Sequence, residues 1–443
     1  MMGIIRYYKS LDKFKKGFWL YLVLLFVEGS MRKWFMPGLS SLWMMSREPI
    51  VLWTVLSLMN SKYLRSAVAK AFMTIGCIML LTTMAFGHQN LSVAFFGFRI
   101  WFFHIPYMFI MANMLNREDL MRICQFLILV FIPMTILYVA QWAAPPNSWL
   151  NARVGGVVSE ADEGTLRPSG TFILGLGSAY YNPLVVVLYT ASLFSASYKK
   201  QFKIFKNEIL ILSVFVVLAL AVGVSRGTIV QSVVSILIVA LIIAFAGKTK
   251  YLKRVMIGFA LIYLIFTFFS SVNIGGKNLM APITNRFEVA AEQEGGSSGI
   301  MESRILEPYK FWNDKGKLLD PPFFGYGIGA GSNYGTQALG LTNFLGDTKA
   351  WGLGEWSCQI VTNEMGFLFG GIVFFLRIGF CISLFFASLK TFSRNNDVLP
   401  LSLWTLSIPY FGNGNINLTM TLGWIVVVMI LLMASIRTSK KTI

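Results

Sequence analysis

Arginines and glutamates set in apolar surroundings are the residues of this 443-residue sequence most able to do chemistry. Arg226 sits in the turn Ser225-Arg226-Gly227 between two apolar runs, and the stretch 208–246 around it holds one other charged residue, Glu208. A tight turn does not need a guanidinium. Arginine presents a planar fork of donors that fits phosphate oxygens two at a time, and it stays charged at any accessible pH. A diphosphate at headgroup level is therefore a natural ligand, with contact to an ordinary lipid phosphate as the plain alternative. Arg47, Glu48 and Arg99 fall about two helical turns inside apolar segments, where an ionisable side chain is a functional candidate by default. Simple pairing of Arg47 with Glu48 or Glu28 would account for it structurally. Arg377, near the inner end of a long apolar run, is expected to snorkel to headgroups.

Other chemistries have little to work with. The two histidines, His88 and His104, have no partner at ligand spacing, and Cys77, Cys124, Cys358 and Cys381 are scattered without a CxxC pair. No metal centre, cofactor or disulfide is expected from such a set.

The elements that position these groups follow from composition. Of all residues 56% are hydrophobic and 13% charged, with a mean hydropathy of +0.64, whereas a soluble domain carries about 25% charge. Apolar runs of roughly 17 to 25 residues match the thickness of the hydrocarbon core. They fall near 17–30, 42–60, 67–86, 91–114, 120–142, 171–196, 208–224, 228–246, 255–272, 358–387, 398–414 and 418–436. The expected fold is an all-α integral membrane protein: one polytopic domain over 1–443, a bundle of about twelve transmembrane helices. The first run follows Lys13, Lys15 and Lys16 and has no small-residue cleavage site after it, so it reads as an uncleaved anchor.

Lysine and arginine are retained on the cytoplasmic side. Clusters such as Lys199, Lys200, Lys203, Lys206 and Lys248, Lys250, Lys253, Arg254 fall on the side that holds the N-terminus. Both termini are then cytoplasmic. The net charge of +18 is explained by topology and anionic headgroups, without nucleic acid. On the far side two longer segments remain, 144–170 and 273–357. The second, between the ninth and tenth runs, mixes glycine-rich turns with aromatics and reads as a partly helical cap.

Several motifs carry a resemblance. The stretch AVGVSRGTIVQSVVSILIVAL resembles the SRG hairpin of the O-antigen polymerase and O-antigen ligase-like superfamily, and the large outer loop follows at the family's position. Within the loop, SRILEPYKFWNDKGKLLDPPFFGYGIGAGSNYG is similar in order: an Arg, an aromatic helix, a Pro-rich turn, then a glycine segment. NEMGFLFGG, with Glu364, resembles the family's E-x-G entry into the next span, and EGSMRKWFMPGLSSLWMMSREPIVL also reads like a stretch found in some members.

The resemblance implies an enzyme of the bacterial inner membrane, needing no cofactor. It takes a glycan from an undecaprenyl-diphosphate carrier at the periplasmic face and passes it to an acceptor hydroxyl. A flippase and a chain-length regulator of the same pathway are the expected partners. Ligases of the family carry a His nine residues before the motif Glu; here that position is Glu355, which argues for a polymerase and makes Glu355 the candidate base. A carboxylate can take a hydroxyl proton if partial burial raises its pKa. Arg226 and Arg304 are the candidates to stabilise the departing diphosphate. Arg286, Arg99, Arg47 and Glu364 are candidate substrate contacts. Tyr309, Trp312 and Tyr326 offer rings to stack on sugars, and Gly327 and Gly329 permit close backbone approach. A ligase with a lipid or protein acceptor is the nearest alternative. A lipid-linked oligosaccharide flippase or other carrier is the next, disfavoured by the lack of an internal repeat.

Overall fold

The computed structural model describes residues 7–152, 154, 160–161, 165–194, 208–223, 225–247, 256, 260, 263–268, 270–274, 277–278, 323–340, 357–414, 416 and 419–439. Helices dominate. In chain order they are α1 Lys13–Ser30, α2 Ser40–Met44, α3 Glu48–Leu58, α4 Ala67–Phe86, α5 Leu91–Phe98, α6 His104–Met114, α7 Arg117–Ala143, α8 Gly175–Phe194, α9 Glu208–Val222, α10 Arg226–Phe245, α11 Asn333–Ala338, α12 Ser357–Asn395, α13 Leu399–Trp404 and α14 Thr419–Thr438. Strands are limited, among the described residues, to two two-residue antiparallel ladders, Glu160–Ala161 with Thr165–Leu166 and Asn273–Ile274 with Lys277–Asn278.

Among the described residues six helices are long and apolar enough to cross a membrane: Ala67–Phe86, Leu91–Met114, Arg117–Ala143, Gly227–Phe245, Ile360–Asn395 and Thr419–Thr438. Of the other expected spans, 17–30 and 171–196 fall on the unbroken helices α1 and α8, and some of the rest are shorter or broken. The run 42–60 is divided between the end of α2 and α3, whose 11 residues reach about 16 Å at 1.5 Å per residue, short of the hydrocarbon core by itself. Residues 31–45 instead form a π turn (Met31–Phe35), a 3-10 turn (Pro37–Leu39) and the five-residue α2. Polar anchors hold this segment. Arg32 pairs with Glu28 at 3.1 Å, and the buried Lys33 Nζ donates to the Gly170 carbonyl at 2.6 Å. The run 398–414 is likewise broken, into α13 and a π turn at Ile408–Gly412. Of the run 255–272, the helical residues 256, 260, 263–268 and 270 are described.

The core is built around α14, which packs against α6, α7, α8 and α13 and buries Leu422 and every residue from Trp424 to Leu432. Trp424 anchors an aromatic cluster, stacked on Tyr181 at 4.9 Å and edge-on to Phe26 at 5.3 Å and Phe172 at 5.9 Å. Between apolar helices in lipid such tight van der Waals packing supplies the association energy, since lipid tails are as apolar as the helices themselves. Small residues serve the same end: a Cβ on Gly423 would lie 2.0 Å from the Arg47 Nη1, so a larger residue there would displace that guanidinium.

Candidate functional site

The segment from α5 to α6 is the spine of the site. Asn90 caps α5 by accepting from the Val93 N–H, and a π turn, Arg99–Phe103, joins α5 to α6 without a break. The turn places three polar residues inside the bundle: Arg99, the Trp101 indole and His104, all buried.

A glycine-rich loop docks on this spine. Gly325, Gly327 and Gly329 have φ of +74°, +102° and +89°, left-handed values that side chains resist. The Tyr326 N–H donates to the Asn363 carbonyl at 2.8 Å, and the Gly327 N–H donates to the Glu364 carbonyl at 2.9 Å. On the other side the His88 N–H donates to the Tyr326 carbonyl at 3.0 Å, and the Ile328 N–H donates to Thr83 Oγ1 at 3.0 Å. Gly97 is the contact point with α5: a Cβ there would sit 2.3 Å from the Gly329 nitrogen.

Glu364 closes the arrangement. It stands in the first turns of α12, just before Gly366, whose φ of +73° breaks the helix. Its buried carboxylate takes three N–H donors: Trp101 Nε1 at 2.6 Å and Gly329 N at 2.9 Å on Oε2, Gly331 N at 2.7 Å on Oε1. Three donors on two oxygens suit a carboxylate acting as acceptor. Glu364 thus fixes the loop against the spine from inside.

His88 holds the loop from the opposite side. Its Nδ1 accepts from the Asn90 N–H at 3.0 Å, which leaves Nε2 to carry the proton donated to the Ile328 carbonyl at 3.1 Å. The ring is therefore neutral in this geometry. Its partial burial lowers its pKa below the ordinary histidine value, against the raising effect of the Ile328 hydrogen bond.

Next to this clamp lies a buried ionic layer. The Arg47 Nε and Nη2 donate to Glu28 Oε2 at 3.2 and 3.0 Å, Nη2 also donates to the Thr419 carbonyl at 2.8 Å, and Nη1 donates to the Tyr21 hydroxyl at 3.4 Å. The Arg99 Nη2 donates to Thr419 Oγ1 at 3.0 Å, and its Nε lies 3.3 Å from Glu48 Oε1. His104 Nε2 is 3.6 Å from Glu48 Oε2, and its Nδ1 donates to the Arg99 carbonyl at 3.1 Å. Arg32, Arg47 and Arg99 against Glu28 and Glu48 leave an excess of one positive charge. A low-dielectric layer with that excess attracts an oxyanion and repels cations.

Several sequence expectations can be placed. Tyr326, Gly327, Gly329 and Glu364 come together in the clamp, and Arg47 and Arg99 in the ionic layer. Arg226 opens α10, capped by Ser225, whose hydroxyl accepts from the Thr228 N–H at 3.4 Å; its side chain is outside the described set. Glu355, Arg304, Arg286, Tyr309 and Trp312 lie outside the described residues. Arg377 departs from expectation. It does not snorkel but is buried, donating to the Phe411 carbonyl at 2.6 Å with its guanidinium 5.5 Å from the Trp101 ring centroid. Sequence reasoning passed over Trp101, His88, Thr83, Thr419 and Arg32. The Gly97-x-Arg99-x-Trp101 spacing was a usable signal, since a glycine beside a buried charge marks a close approach.

Among the described residues no group of three or more His, Cys, Asp and Glu side chains is placed to hold a metal ion. No protein-family model, curated protein or solved structure matches the chain.

Proposed function

We propose that this helical membrane protein is a glycosyltransferase of the polymerase type, acting at the periplasmic face of the bacterial inner membrane on undecaprenyl-diphosphate-linked oligosaccharide repeat units. On this reading about twelve helices cross the bilayer, the termini are cytoplasmic and the segment 273–357 caps the outer end. The observation that carries the reading is the pairing of a clamped glycine loop with a buried arginine-rich layer, both on the Arg99–Trp101 turn. The motif resemblance to O-antigen polymerases points the same way.

The chemistry is a displacement at an anomeric carbon. The acceptor hydroxyl oxygen bonds to that carbon while Glu355 takes the hydroxyl proton. The bond from carbon to the diphosphate oxygen breaks, and the lipid diphosphate leaves with the electron pair. Fixed arginines, Arg226 and Arg304 foremost, stabilise the charge that develops on it. A ligase would share the donor half of this reaction. A carrier is the second reading, and the partly buried Glu48 beside the buried His104 and Arg99 is its supporting observation, because transporters place such groups along their pathways.

The test is reconstitution in nanodiscs with undecaprenyl-diphosphate-linked repeat units, followed by a glycan gel. The proposal expects a ladder from the wild type that Arg226→Ala and Glu355→Gln abolish. A wild type that yields no ladder, and moves the intact lipid-linked glycan across the bilayer, would establish the carrier instead.

A further inference from the structure

Arg99 is held by unequal partners. Its Nη2 has a hydroxyl acceptor in Thr419 Oγ1, but its Nη1 points at the Met45 thioether sulfur, 2.8 Å away. Thioether sulfur is a weak acceptor, a poor match for a guanidinium withdrawn from water. Next to Met45 in the chain, the buried Ser46 Oγ has no hydrogen-bond partner, while the Arg99 Nε is held by Glu48 Oε1 at 3.3 Å. A buried polar atom without a partner costs about 1–3 kcal/mol, so the Ser46 hydroxyl and the poorly matched Arg99 Nη1 are two donors suited to a better acceptor.

The way in from the surface is through Met45. Met45 is 39% exposed, while Arg99 beneath it is 7% exposed. Methionine is unbranched and adapts its rotamers readily, so the thioether can swing aside without moving backbone. Outside it the segment 31–45 presents an apolar strip: Phe35 is 70%, Leu39 48% and Leu42 69% exposed. In a membrane such a strip lies among acyl chains. Charged and apolar features are thus stacked in the order of a lipid that carries phosphate, with an anion position on Arg99 and a hydrocarbon surface beside it. The layer's excess positive charge favours the anion.

We propose that Met45 is a displaceable plug over an oxyanion site formed by Arg99 and Ser46. A phosphate-type oxyanion displaces the thioether, takes the Arg99 Nη1 in a charge-assisted hydrogen bond and accepts a second from the Ser46 hydroxyl. The chain it carries lies along Phe35, Leu39 and Leu42. The proposal deepens the glycosyl-transfer reading, for which it supplies the place where the donor diphosphate engages, and it rests on that reading for the donor's identity.

Binding is measured apart from transfer. Protein in phosphatidylcholine nanodiscs is titrated with undecaprenyl diphosphate in one arm and with inorganic pyrophosphate in the other, and Trp fluorescence reports occupancy. Met45→Ala removes the plug and is expected to tighten binding several-fold; Arg99→Gln is expected to weaken it about tenfold or more, the loss of roughly one charge-assisted bond. Binding only in the lipid arm identifies a headgroup site, and the same dependence in both arms identifies a site open to free phosphates. Affinity indifferent to Met45→Ala overturns the proposal, even where Arg99→Gln misfolds. A glycan ladder from wild type alongside that indifference would leave the transfer reading standing. Plug-dependent binding without any ladder would do the reverse.

Discussion

Replacing Glu364 by Gln removes one of two acceptor oxygens from a buried carboxylate that takes three N–H groups. If the amide oxygen keeps the position of Oε2, the Gly331 N–H faces an NH2 group and loses its acceptor. If it takes the position of Oε1, Trp101 and Gly329 are both stranded. The gentler outcome loses one hydrogen bond to a charged group and leaves one half-buried donor unsatisfied, which together cost about 3 kcal/mol. That energy falls on the docking of the loop 323–332, because the carboxylate, on α12, joins it to the Arg99–Phe103 turn. At about 1.4 kcal/mol per factor of ten, loop opening becomes roughly a hundredfold more frequent. Hydrogen exchange of nanodisc-embedded protein, read on peptides covering Gly325 to Gly331, measures this directly. Trp101→Phe, which deletes one donor and leaves a smaller aromatic ring, should cost loop docking less, about 1 kcal/mol. Protection in Glu364→Gln within about threefold of wild type, less than 1 kcal/mol, would refute the clamp.

Other expectations follow from neighbouring contacts. Gly97→Ala puts a methyl 2.3 Å from the Gly329 nitrogen and 2.4 Å from the Ile328 carbonyl carbon, so the loop must lift; a loss of about 2 kcal/mol is expected, and it should largely vanish in a Glu364→Ala background, where the loop is already released. Loop protection should also depend on pH through His88. Its folded pKa is depressed by burial, so its contribution is complete above the unfolded value of about 6.5 and declines as pH falls below it; exchange at Gly325–Gly331 should rise on acidification in wild type and stay flatter in His88→Gln. In the ionic layer, Glu28→Gln leaves the buried Arg47 facing a neutral amide and should cost about 3–5 kcal/mol by thermal unfolding in detergent, whereas Glu28→Leu combined with Arg47→Met should cost far less.

Much of the helical framework was legible in the sequence because hydropathy over a span-length window is a strong signal. The runs 67–86, 91–114 and 418–436 appear within a residue or two of α4, the α5–α6 segment and α14. The run 42–60 misled, since the apolar stretch SSLWMM reads as part of a span. In the fold Arg32 and Lys33 tie its neighbourhood to Glu28 and Gly170, and only the five-residue α2 precedes the helix that begins at Glu48. Arg377 was misread for a related reason. Its acceptors are the carbonyls of Phe411 and Gly414, at and just past the π turn Ile408–Gly412, and no side-chain pattern announces such freed backbone. At the site the glycine segment and Glu364 stood out as motifs. Their mutual contact did not, because it spans 35 residues to Gly329 and 263 to Trp101, and a single sequence carries no record of such distances. His88 was dismissed as a metal ligand without partners, and its real task, bridging the turn before α5 to Ile328, needs only backbone groups.

The central claim is that the protein breaks the bond between a glycan and its lipid diphosphate. Purified wild-type protein in nanodiscs, supplied with undecaprenyl-diphosphate-linked repeat units, can be followed by phosphorus NMR as glycan length is read in parallel. Glycosyl transfer predicts free undecaprenyl diphosphate accumulating in step with each new linkage. Lipid-linked glycan that keeps its diphosphate bond, at protein levels where it moves between leaflets, would contradict the claim.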